Sequence, residues 1–161
     1  MILCPLSSPC RITQHFGERP PVYGPGGHNG IDLAGPKAGV PVRVYSPFDA
    51  VVYQIVKASS GYGLHVILRT AEQGGRRRQV ILGHFSKVSV KQGEQLPLGG
   101  LIGVSGKSGF TDGGIHLHLC MQFIDTQGNV LDADNGHQGW IDVEPYMLFW
   151  KPTGPDMVSF S

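Results

Sequence analysis

The sequence predicts a mostly β protein, a compact antiparallel sheet or sandwich. Three observations lead there. Glycine and proline are dense, 24 and 12 of 161 residues, which breaks helices and favours short strands with tight turns. From Val40 onward, apolar runs of strand length recur between turn signals. No stretch carries a helical apolar stripe longer than two turns.

The elements follow in order. Residues 1–39 are loop-rich, with PPVYGPGGHNG the most irregular stretch. VPVRVYS, AVVYQIVKA, LHVILRT and RQVILGHFS each alternate or run apolar, as strands joined by hairpins do. GGRRRQ fits a hairpin tip between the third and fourth. LGGLIGVSGKSGFTDGG is a glycine-rich turn region around the short strand LIGV, and IHLHLCMQF is a further strand. NGHQGW opens a C-terminal segment ending in EPYMLFWKP, where VEPYMLFW is expected to form one short helical turn with proline near its start. No repeat or linker divides the chain, so residues 1–161 are expected as a single domain.

Composition narrows the function. A hydrophobic content of 40% with 16% charged residues is globular rather than disordered. The formal net charge of +1 supplies no global field for nucleic acid or membrane, so a partner must be recognised locally. There is no apolar run of membrane-spanning length. The N-terminus MILCPLSSPCRITQHFGERP lacks a charged region followed by a long apolar one, so no signal peptide is expected. Cys4 and Cys10 are close enough in sequence to bridge a short loop, but an odd count of three cysteines and no leader favour reduced thiols. No CxxC pair is present, which argues against a thiolate zinc knuckle.

The chemistry concentrates in three places. In GIHLHLC, His116 and His118 lie two apart, so on a strand they project from one face, about 6.5–7 Å apart. In GHNGIDLAG, His28 and Asp32 form an H-x-x-x-D pair, and imidazole nitrogen and carboxylate oxygen are both zinc ligands. In VILGHFS, His84 closes an apolar strand. Each signal alone is weak. Together, His28, Asp32 and one histidine of the HxH pair supply three ligands and leave the fourth tetrahedral position to water, the catalytic zinc pattern. The other HxH histidine and His84 are then free for acid/base work. Spacing alone leaves open which of His116 and His118 binds metal.

The segments HFGERP, GHNGIDLAG, VPVRVYSPFDAVVYQI, SGYGLHVIL, GHFSKVSVKQGEQLPLGGLIGVSGKSG and IHLHL, in this order, resemble the lysostaphin-type (LytM-like) zinc peptidases, which cut peptide bridges and stems of bacterial peptidoglycan. The resemblance covers about residues 11–125, leaving 126–161 as a C-terminal extension. It implies the compact antiparallel fold of that family (duplicated hybrid motif-like), with a narrow groove over the sheet. It implies one zinc ion per chain, held by His28, Asp32 and His118 with water in the fourth position. His84 and His116 carry over as catalytic acid/base residues. Tyr23, five residues before His28, is a candidate substrate-binding phenol, because family members often use a tyrosine on this loop. Three positions depart from the family's usual pattern. Ile115 stands where proline is usual and Cys120 where an acidic residue often follows. Leu82 and Gly83 replace an aromatic–alanine pair. None removes a ligand; all bear on groove shape.

Of the remaining histidines, His15 fits no ligand position and is expected to be structural or exposed, and His65 is expected to face solvent or a sheet surface. His137 lies in a late loop where it can line the groove. Cys120 shares the face of the HxH pair and is expected to be a small buried filler; the alternative is a fourth, soft ligand that would close the site. Arg76, Arg77 and Arg78 are expected to be a solvated basic tip, or a contact for anionic wall polymers. The expected partner is therefore a peptidoglycan peptide, with no nucleic acid and no membrane span, acted on by a monomer. Such a chain would be made in the cytoplasm and reach the wall by phage release, aboard a virion, or as a domain excised from a secreted protein. Two other classes remain. One is a non-catalytic domain of the same fold that binds the wall or activates a partner hydrolase, but such proteins typically lose ligands. The other is an HxH barrel enzyme of the cupin type, which lacks the acidic ligand expected after HxH and leaves H-x-x-x-D unexplained.

Overall fold

The computed structural model describes residues 1–7, 9–18, 23, 24, 26–111 and 113–149. Its strands are β1 (Ile2–Leu3), β2 (Arg11–Gln14), β3 (Ile31–Ala34), β4 (Arg43–Tyr45), β5 (Ala50–Lys57), β6 (Leu64–Arg69), β7 (Arg76–Gly83), β8 (Phe85–Val88), β9 (Gln95–Leu96), β10 (Leu101–Ser105), β11 (Leu117–Asp125), β12 (Trp140–Ile141) and β13 (Met147–Leu148). The large sheet has the order β2-β3-β11-β7-β6-β5-β9, with β12 added to β11. A second sheet has the order β4-β10-β8, and β1 pairs in parallel with β13. All other paired strands are antiparallel. Among the described residues the one helical element is a 3-10 turn, Glu144–Tyr146, with Pro145 inside it. The expected helical turn at VEPYMLFW is thus real but shorter, because Met147 and Leu148 leave it to pair with β1; Trp150, like residues 151–161 of the extension, lies outside the described residues.

The two faces of the large sheet divide the work. Leu33 of β3, Leu117 and Leu119 of β11, Val80 and Leu82 of β7, and Val66 and Leu68 of β6 point into the core, where Val44, Phe85 and Ile102 of the small sheet meet them. Full burial of one such side chain contributes about 1.5–3 kcal/mol. The period of two then puts Asp32, His118, Cys120, Gly83 and His65 on the opposite face. The apolar alternation that builds the core therefore also aims the candidate site.

One expectation needs correction. The hairpin tip is Gly74-Gly75, both at positive φ (61° and 78°), as a two-residue primed turn requires. The three arginines lie inside β7 instead, Arg76 opposite Asp125 and Arg78 opposite Phe123, and Arg76 stacks on the Phe123 ring. His65 takes the second of its two expected places, a sheet surface, but is buried there: its Nδ1 donates to the Gly63 carbonyl at 2.9 Å and its ring packs edge-on against Tyr62. Near the N-terminus, Cys4 and Cys10 bring their sulfurs to 2.8 Å as free thiols.

Candidate metal and catalytic site

The site is built on one row across three strands. His118 of β11 stands opposite Asp32 of β3 on one side and Gly83 of β7 on the other. Asp32 Oδ1 lies 3.0 Å from His118 Nδ1 and 3.3 Å from His28 Nε2, and those two nitrogens are 3.0 Å apart. All three residues are buried. His28 comes from the loop before β3, and the chain at residues 15–18 holds that loop. The His28 N–H donates to Glu18 O (2.7 Å), the Gly17 N–H to His28 O (2.8 Å), and His28 Nδ1 to His15 O (3.1 Å). Because Nδ1 carries the proton in that last bond, Nε2 presents its lone pair to the other two groups.

Electrostatics agree with a ligand set. Burial works against ionising Asp32, but its polar contacts with the His118 and then the His28 ring outweigh it and hold the carboxyl well below its usual range. Burial pushes His118 down from its ordinary value despite the carboxylate beside it, so its imidazole is neutral. The His28 and His118 rings and the Asp32 carboxylate converge, with ligand atoms all within 4.8 Å of one another. Three such electron-pair donors without a cation between them are poorly compensated in a buried place. One divalent ion of borderline softness, zinc above all, fits the set. Among the described residues the buried His118 Nε2 has no hydrogen-bond partner, which leaves this ring incompletely satisfied.

His84 and His116 stand beside this group. Their rings are 4.7 Å apart, and His116 Nε2 is 3.6 Å from Asp32 Oδ2. His84 Nδ1 donates to Ser108 O at 2.8 Å and His116 Nδ1 to Gly114 O at 2.9 Å, which leaves each Nε2 as the atom able to take up a proton. His84 has φ 65°, an uncommon conformation outside glycine and one that marks functional positions. Burial, then the nearby His116 and His118, lowers its pKa to about 4, partly opposed by the Ser108 carbonyl. All five sequence-derived residues therefore meet, together with Tyr23, in a cleft of about 720 Å³. Tyr23 packs its ring 5.2 Å from His28 and donates its hydroxyl to Gln14 at 3.2 Å. His137 also lines this cleft and bonds Gly26 O at 3.1 Å. His15 is exposed and pairs with Glu144 at 2.6 Å; that carboxylate raises its pKa. Cys120 is buried, lies outside the ligand cluster, and has its sulfur 3.8 Å from the Tyr62 hydroxyl, as suits a filler.

Sequence reasoning missed Tyr62, Asn29 and Ser108. The Tyr62 ring stacks on His118, 5.1 Å between centroids, and its hydroxyl accepts from the Asn29 amide. Burial pushes its phenol far above the ordinary tyrosine value, so it stays protonated. A Cβ on Gly83 would come within 3.3 Å of Tyr62 and 3.4 Å of His118, so the glycine makes room for this stack. The available signal was the departure at Gly83 itself, a gap in a strand next to a ligand. Ser108 is fixed by two bonds of its hydroxyl, from Leu64 N and to Phe85 O.

The Ser108 loop depends on one close crossing. Gly63 has φ +63°, and a Cβ there would sit 2.3 Å from the Ser108 carbonyl carbon and oxygen. We expect Gly63→Ala to destabilise the fold by more than about 3 kcal/mol, since backbone must move on both sides. For a chain of this size that lowers Tm by roughly 10 °C. A thermal melt checks this, and an unchanged Tm would show that the crossing is slack.

The model of peptidase family M23 matches residues 26–133, which include both ligand segments and both further histidines. A Haemophilus influenzae protein described as an uncharacterized metalloprotease is 34% identical over 119 residues, covering 71% of this chain and 23% of its own length. The chain thus spans about a quarter of that relative. Among solved structures, a point mutant of the catalytic domain of the prophage-encoded M23 protein EnpA from Enterococcus faecalis is similar, at 29% identity and TM-score 0.59, over 80% of this chain and 92% of that one. The catalytic domain of the antimicrobial peptidase lysostaphin from Staphylococcus simulans shares the fold, at 24% identity and TM-score 0.63, over 84% and 90%. With the family match over residues 26–133 and the shared all-β architecture, this chain belongs to peptidase family M23 and has the lysostaphin-type fold.

Proposed function

We propose that this chain is a zinc-dependent metalloendopeptidase that cuts peptide cross-links or stems of bacterial peptidoglycan. The observation that carries it is the arrangement of His28, Asp32 and His118 within 4.8 Å, with His84 and His116 beside them in one open cleft. His28, Asp32 and His118 would hold the ion. Bound there, zinc supplies Lewis-acid chemistry, polarising a peptide carbonyl and making water acidic enough to react near neutral pH.

The chain's own residues do the rest. Asp32 contributes the negative charge that fixes the cation, and Tyr62 stacks on the His118 ring and limits its rotation. His84 Nε2 and His116 Nε2 face the same volume, so one takes a proton from the attacking water and the other protonates the departing amine. Once protonated, either also favours negative charge on the former carbonyl oxygen. Tyr23 stands at the cleft wall as a contact for the substrate peptide. A purely wall-binding or partner-activating domain would need none of these proton carriers, and their convergence favours catalysis.

The test is release of new amino ends from purified peptidoglycan by zinc-quantified protein, with and without chelator. A glycine-bridged and a directly cross-linked wall are both needed. Chelator-sensitive release is expected from one of them, and that wall names the bond. One zinc per chain with no release from either would overturn catalysis in favour of binding.

A further inference from the structure

A second, smaller cleft of about 240 Å³ meets the first at Asp32 and His116 and continues past them along β2. The two differ in charge. Among the described residues lining the large cleft, Asp32 is the one carboxylate, and no lysine or arginine is present. The small cleft adds a single cation, Arg11. We propose that Arg11 forms a subsite for a carboxylate carried by the substrate peptide, an inference that rests on the peptidase proposal above.

Geometry supports it. Arg11 and Thr13 are exposed on β2, and both line this cleft across a bulge between Ile12 and Gln14. Arg11 Nη1 bonds Gly35 O (3.3 Å) and Pro36 O (3.4 Å), which anchors one edge of the guanidinium. Among the described residues no carboxylate pairs with it. A guanidinium has five N–H donors in a fixed fork suited to bidentate carboxylate binding, so the outer edge remains free for a ligand. The Thr13 hydroxyl donates to the Asp32 carbonyl at 3.3 Å and ties this face to the ligand strand. Gln14 stands opposite Asp32 in the sheet, and Arg11, beyond a bulge, stands opposite Ala34, two residues from Asp32 along β3. At about 3.3 Å per residue that is roughly 7 Å, the span of about two residues of extended peptide. An uncharged segment in the large cleft and a carboxylate at Arg11 would thus flank one scissile bond.

Stem-peptide carboxylates have two sources, the chain terminus and a side chain, and three synthetic peptides separate them. One is the free acid, one has a C-terminal carboxamide, and one has its side-chain carboxylate amidated. The zinc-loaded protein is expected to show kcat/KM about tenfold higher with the free acid than with the amide that removes the recognised group, mainly through KM. That amide names the source. Arg11→Gln should erase the preference, Arg11→Lys should keep part of it as a single point charge, and Arg11→Glu should invert it. Thermal melts of the variants report whether Arg11 only staples residues 35 and 36. A preference unchanged in Arg11→Gln overturns the subsite. If the zinc-loaded protein cuts none of the peptides, the peptidase proposal fails, and equilibrium binding of the same peptides still decides about Arg11. Equal affinity for acid and both amides overturns it; tighter binding of the acid, lost in Arg11→Gln, supports it.

Discussion

His118→Ala is expected to lose metal and activity together. The bound metal should fall from one ion per chain to below about a tenth, and peptidoglycan turnover by at least about a thousandfold. The reason is position. His118 touches both other ligands at 3.0 Å, and its removal leaves one imidazole and one carboxylate, too few for a structural or catalytic zinc. Alanine also opens a cavity under Tyr62, which stacks on the missing ring. His118→Gln fills that space, so the two variants together separate lost ligation from lost folding. Cys120→Ser is the matched control, two residues along the same face. It should keep its metal, because the Cys120 thiol is held far above its ordinary pKa by burial and stands outside the ligand cluster. Metal analysis after desalting, beside the wall assay, decides this. Stoichiometric metal in His118→Ala would remove it from the ligand set.

The fold was legible in the sequence where local chemistry dictates it. The β-rich runs after Val40 are strands because branched and aromatic residues alternate between glycine turns, and the core forms from the apolar half of that alternation. What the sequence hides is pairing at a distance. Nothing local in Ile2 or Met147 says that these two segments meet as β1 and β13. The arginine run misled for a related reason. Charge suggested a solvated tip, but two consecutive glycines are the stronger turn signal, and the arginines are carried into β7 by its register with β11. His65 was legible only in part, because alternation predicts which face a residue takes and not what later covers it. Here Tyr62 does.

The candidate site was legible because Asp32 and His118 sit on strands and His84 and His116 at strand edges, where a period of two fixes direction, while His28, in the loop before β3, was legible by its spacing from Asp32. The register His118 opposite Asp32 then brings residues 86 apart into hydrogen-bond range. Partners brought in by distant loops were not legible. Ser108 reaches His84 because Gly63 and Gly109 let two loops cross, and Tyr62 packs closely on His118 with room left by Gly83, where a Cβ would press on both at 3.3–3.4 Å.

Replacing His84 is expected to leave metal bound while removing proton transfer. His84→Asn is the informative variant, since asparagine tolerates the left-handed conformation (φ 65°) that would strain most residues. Metal should stay at one ion per chain, because His84 is not among the converging ligand atoms, and turnover should fall about 10²–10⁴-fold. A second readout is independent of turnover. Unfolded histidine protonates near pH 6.5, and folded His84 only near pH 4. Between those values the unfolded chain binds more protons, so this residue makes stability fall as pH drops from about 6.5 to about 4, by on the order of 3 kcal/mol. Above about pH 6.5 the term vanishes. His15 works in the opposite sense, because its pKa is raised by Glu144, but it is present in both proteins and cancels in the difference. The pH dependence of Tm should therefore be flatter on the acid side in His84→Asn than in the natural chain. Wild-type turnover in the variant would assign the proton transfers to His116 alone, and superimposable stability curves would mean that His84 is not held neutral by its surroundings.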